Sequence, residues 1–88
     1  MTILFQNQTA DDDSLEHEHK GGELQIAVVG TMGGCSIQPQ INQENLGYIS
    51  FGDPITTEVA FFIKLKQSSV KFVMTGATGT TDVSLSAL

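Results

Sequence analysis

Arginine and tryptophan are absent from this chain, and cysteine and tyrosine occur once each. The cations are four lysines against ten acidic residues, a formal net charge of −6. That balance argues against nucleic acid, because phosphate backbones are held by clustered Lys and Arg that release counterions. It equally disfavours an anionic membrane surface. No apolar run approaches the roughly 20 residues needed to cross a bilayer, and the opening MTILFQNQ lacks the basic and long apolar regions of a secretion signal. A soluble protein made in the cytoplasm is expected. A lone Cys35 cannot close an internal disulfide, so nothing here asks for an oxidising compartment.

Helical periodicity is also missing. No segment holds the i, i+3, i+4, i+7 spacing of an amphipathic helix over a useful length. What is present is period-two alternation. Leu24, Ile26 and Val28 alternate with Glu23, Gln25 and Ala27, and Cys35, Ile37 and Ile41 alternate with Ser36, Gln38 and Gln40. Gly30, Gly33 and Gly34 lie between them, so Glu23 to Gln40 reads as a hairpin with a loop over Thr31 to Gly34. Asn42 to Asn45 reads as a polar turn, and Leu46 to Phe51 as a strand around Tyr48. The longest alternation, Ile55 to Leu65, predicts a central strand, with Phe62 as an aromatic on its otherwise polar face. Val70, Phe72 and Met74, then Thr81, Val83, Leu85 and Ala87, mark two closing strands around a Gly76 to Gly79 loop. The expectation is an all-β fold: a single small antiparallel β-sandwich or Greek-key barrel of six or seven strands, with an extended N-terminal arm.

Residues 1–22 form that arm and 23–88 the β-domain. The arm is polar and acidic, with too little apolar surface to offset the entropy of ordering it alone. Ile3, Leu4 and Phe5 are its apolar tip. Two placements follow: a strand added to a partner's sheet edge, or pairing back onto the chain's own sheet. Ser14 to Lys20 could add one helical turn, although His17 stands where a capping box wants Glu or Gln.

Candidate chemistry is sparse. Asp11, Asp12, Asp13, Glu16, His17, Glu18 and His19 crowd oxygen and imidazole into nine residues, but a calcium loop fails at Leu15 and at the missing glycine, and no third ligand joins the histidines. This stretch reads as a solvated acidic segment, and no metal or other cofactor is expected. Cys35 falls in the apolar phase of its strand and reads as a small core hydrophobe. Asp53 and Asp82 stand alone. The glycines at 30–34 lead into a strand, so no helix N-terminus is offered to phosphate. A non-enzyme is expected.

Three pieces in order, Gly30-Thr31-Met32-Gly33-Gly34, then Ser36 to Gln40, then Val70 to Gly76 followed by Thr80 to Leu85, resemble the small β-sandwich structural proteins of tailed bacteriophages. The resemblance covers about Leu24 to Leu88. It implies a virion component, and first a capsid cement (decoration) protein that binds the outside of the major capsid protein shell and bridges neighbouring subunits. A neck or tail component is the alternative within that class. A carbohydrate-binding surface module, supported by Tyr48, is the alternative outside it. The expected contact residues are Ile3, Leu4, Phe5 and Phe62, with the major capsid protein as partner and a second or third copy of the chain as another.

Overall fold

The structure, a computed structural model, describes residues 2–42 and 47–87. Among them there is no helix, and nine strands run β1 (Thr2–Gln8), β2 (Asp12–Asp13), β3 (His17–His19), β4 (Gly22–Thr31), β5 (Ser36–Asn42), β6 (Ile49–Ser50), β7 (Val59–Leu65), β8 (Ser68–Thr75) and β9 (Asp82–Ala87). They form two antiparallel sheets packed face to face, as expected of an all-β sandwich. One has the order β1-β9-β4-β7; in the other β8 pairs with β2 and β3 on one side and with β5, then β6, on the other. The expected polar turn at Asn42 to Asn45, and the Leu46 start of the following strand, fall largely outside the described residues.

Period-two patterning delivers the core. Leu24, Ile26 and Val28 of β4 and Val83, Leu85 and Ala87 of β9 face Cys35, just before β5, Ile37 of β5, and Val70, Phe72 and Met74 of β8, all at 2% exposure or less. Burying a side chain of this size is worth about 1.5–3 kcal/mol.

The Glu23 to Gln40 hairpin does not form. β4 pairs with β7 and β9, while β5 pairs with β6 and β8, so the Thr31–Gly34 turn carries the chain from one sheet to the other. The closing strands β8 and β9 likewise sit in opposite sheets. Alternation shows that each strand buries one face; it does not show whether that face meets its successor edge to edge or across the core. The two crossovers lie side by side and are clipped by threonine hydroxyls: Thr78 Oγ1 donates to the Gly33 carbonyl (2.6 Å) and Thr81 Oγ1 to that of Met32 (2.9 Å).

Two further expectations are corrected. Residues 1–22 are not a separate arm: β1 pairs with β9, and β2 and β3 pair with β8, so the supposed linker supplies strands to both sheets. Of the two placements open to the apolar tip, it takes its own sheet, because Leu4 (4% exposed) and Phe5 (3%) both enter the core. In the Ser14 to Lys20 stretch, whose capping pattern is a poor match for a helical turn, the chain forms β3. The strand drawn from Ile55 to Leu65 begins only at Val59, after Ile55 makes an isolated bridge to Ile37, and it lies at a sheet edge. Among the described residues no strand pairs with its other side, and β6, the strand before it in the chain, belongs to the opposite sheet.

Candidate docking face

The outer surface of the β1-β9-β4-β7 sheet carries three of the exposed large apolar side chains, Ile3, Val29 and Phe62; Leu15 and Ile49, also exposed, lie outside this sheet. Register places Ile3 beside Ser86, Ser86 beside Ala27, and Ala27 beside Ala60, one row across all four strands. One step along, Val29 pairs with Ser84; one step the other way, Gln25 pairs with Phe62. Ile3 is 44% exposed, Val29 56% and Phe62 64%. They rise around a floor of small residues, and Ile3 and Phe62 stand on strands three spacings apart, about 14 Å.

The shape has a local cause in β1. Its ladder with β9 shifts register between Ile3 and Phe5 and again before Gln8, which turns Leu4 and Phe5 both inward and leaves Ile3 outward. Asn7 adopts a left-handed φ of 49° and its N–H donates to Ser84 Oγ (3.1 Å). Between this irregular strand and Val29 runs a groove of about 290 Å³ floored by Ala27, Ser84 and Ser86. Charge lies at the ends: Glu23 is paired across from Lys64 at one, and at the other stand Asp82 and Glu58, whose Oε2 accepts the Gly30 N–H (2.8 Å) next to Val29. A surface of this kind releases water on contact at little electrostatic cost.

Of the four residues expected to meet a partner, the structure brings Ile3 and Phe62 to this face and takes Leu4 and Phe5 away from it. Val29 is the residue that sequence reasoning passed over. Its signal was legible, since Val28-Val29 puts an apolar residue in the polar phase of β4 just as Phe62 does in β7.

The opposite sheet presents a polar outer surface whose groups are largely engaged with one another. Lys71 Nζ bonds Asp13 Oδ2 at 3.0 Å and sits 4.5 Å from the centre of the Tyr48 ring. Ser69 Oγ donates to Glu18 (2.6 Å), and Asp11 accepts from the backbone N–H groups of Gly76 (3.2 Å) and Ala77 (2.7 Å). The acidic stretch thus staples itself to β8 and the loop after it. The Tyr48 hydroxyl is enclosed near Ser69 and Glu16 without closing a hydrogen bond, and burial raises its pKa.

No catalytic grouping is assembled from the candidates. Cys35 is buried, and burial, with Asp11 next, raises its thiol pKa, away from the thiolate a nucleophile needs. His17 lies opposite Val70 on β8, whereas Ser36, next to Cys35, lies opposite Thr75, about 17 Å along the same strand. Among the described residues, no three His, Cys, Asp or Glu side chains gather as a metal set. Compared with known proteins, the chain matches no family model, and no curated protein or solved structure is significantly similar to it.

Proposed function

We propose that the chain is a structural docking protein and, within that class, a capsid cement protein of a tailed bacteriophage virion that binds the outside of the major capsid protein shell. The observation that carries the docking role is the outer face holding Ile3, Val29 and Phe62 over a floor of small residues, with its charged side chains at the two ends. The likeness of its turn and closing segments to phage β-sandwich proteins supplies the choice of partner. Net charge of −6 supports a protein surface over nucleic acid as that partner. A patch this small binds weakly one copy at a time, but a shell offers many equivalent sites, so linked copies gain by effective concentration. A carbohydrate module would lean on Tyr48, whose ring already carries the Lys71 ammonium; docking to protein is therefore the preferred reading.

The test is co-sedimentation with shells assembled from the cognate major capsid protein. Ile3→Ser, Val29→Ser and Phe62→Ser replace exposed side chains, so each should leave the melting temperature within a few degrees of the wild type. Each should also lower shell occupancy about tenfold, the loss of roughly one buried apolar side chain. Undiminished occupancy in all three would remove this face as the docking surface. Location on tail or neck in electron-microscopy difference maps would replace cement by the neck or tail role.

A further inference from the structure

Sheet edges are normally defended, and in this molecule three of the four are. β1 is broken by two register shifts, β6 is two residues long, and the β2 and β3 edge is split into pieces of two and three residues flanked by Asp and Glu. The fourth edge is β7, Val59–Leu65. It is seven residues long, carries no proline, keeps an unbroken register with β4 from Leu65 to Val59, and pairs on its other side with no strand among the described residues. Its inward side chains are also incompletely covered. Val59 is 37% exposed, Phe61 and Ile63 are half-buried, and a cleft of about 400 Å³ opens between them and the Pro54-Ile55 segment.

We propose that β7 is the seat of a second copy of this chain, joined antiparallel about a two-fold axis at Phe62, so that two four-stranded sheets become one of eight strands. The sequence of the strand selects this occupant and this register. A continuous core requires inward residues to meet inward residues, which forbids slips by an odd number. Of the remaining registers, the one centred on Phe62 alone uses the whole strand; a slip either way leaves only Val59–Ile63 or Phe61–Leu65 in the ladder. In the full register Val59 meets Leu65 of the second copy, Phe61 meets its Ile63, and Phe62 meets its Phe62. Lys64 falls opposite Ala60 and meets no like charge. Just beyond the strand, Glu58 falls opposite Lys66, and the two-fold makes that opposite-charge pair twice. A net acidic chain therefore presents to its own copy one of its few places where charges cancel.

The inward pairs Phe61–Ile63 and Val59–Leu65 would cover the cleft that each copy leaves open alone. This inference stands apart from the capsid reading: a dimer that ignores shells, or a monomer that binds them, separates the two.

Sedimentation of the full chain at micromolar concentration should show a dimer. Paired Cα atoms in an antiparallel ladder lie within disulfide reach. Under mild oxidation Phe62→Cys should therefore cross-link with itself, Ala60→Cys and Lys64→Cys should each stay uncross-linked alone, and a mixture of those two should give the mixed dimer; Cys35 is retained because it is buried. Lys66→Glu should weaken association about tenfold, from like charges opposed at two symmetric positions, and adding Glu58→Lys should recover it. A monomer at every soluble concentration with no Phe62→Cys cross-link would overturn the proposal. So would a dimer indifferent to both the cysteine pattern and the charge reversal, which would place the contact elsewhere.

Discussion

Gly30 shows how one residue can constrain a whole crossover. It stands near the end of β4 at φ = 121°, and a Cβ built there would fall 2.1 Å from the carbonyl oxygen of Asp82 in β9. Both the left-handed backbone and the close approach demand glycine. Gly30→Ala should cost on the order of 3 kcal/mol, strain and overpacking together, read as a lower urea midpoint at unchanged slope. Gly79→Ala makes the control, since nothing lies within 4 Å of its built Cβ; it should stay within about 0.5 kcal/mol. Equal effects at the two sites would contradict the crowding at Asp82. The sequence announced a glycine turn here, and it is one. What it left open was where the turn leads, because the carbonyl that requires Gly30 belongs to a strand more than fifty residues away.

At the scale of elements, β1 separates core burial from surface exposure within three consecutive residues. Phe5 is 3% exposed and Ile3 44%. Phe5→Ala should therefore lower stability by about 3–5 kcal/mol, most of what a domain of this size possesses, while Ile3→Ala should hardly move the melt. Similar melts for both would return Thr2–Gln8 to the status of a loose arm. The triplet Ile3-Leu4-Phe5 stood out in the sequence as apolar and isolated, but period two cannot bury two neighbours together. Only the register shift against β9 does so, and a bulge leaves no mark in the hydropathy pattern.

The β3 edge carries a pH response. Burial, with the neighbouring His19 next, lowers the pKa of His17, and Glu18 opposes in part. A base with a depressed folded pKa binds fewer protons folded than unfolded, so stability rises with pH; it is fully present above the ordinary imidazole value of about 6.5 and falls as pH drops beneath it. Denaturation followed from pH 7 to 5.5 should show that decline, and His17→Gln should flatten it. An unchanged slope in the variant would assign the response to other groups. The strand pattern of β7 was fully legible, including which side chains face inward, yet its length and alternation suggested the middle of a sheet. Position within a sheet depends on which neighbour the topology supplies; β6, next before it in the chain, pairs with β5 in the opposite sheet, and among the described residues nothing takes its place beside β7.

Over the whole molecule, the chain repeatedly changes sheets, at β1 to β2, β3 to β4, β4 to β5, β6 to β7, β7 to β8 and β8 to β9. Such a fold cannot be assembled from local hairpins, and its pairings close long loops before contacts offset their entropy, so slow folding is expected of it. The all-β class, the inward faces and most strand positions could be read from alternation. The pairing order could not, since every strand offers the same kind of apolar face.

The pairing of Thr2 with Ala87 has a mechanical corollary. Tension applied through residues 2 and 87 pulls on two adjacent antiparallel strands at a shared end, across the ladder and along its hydrogen bonds. The load then falls on one residue pair at a time, and β1 peels from β9 like a zipper. Attachment at Gln8 and Ala87 would load the same strands lengthwise, with several pairs resisting together. The same ladder is therefore compliant or stiff according to where it is held, and a linkage at residues 2 and 87 chooses the compliant direction.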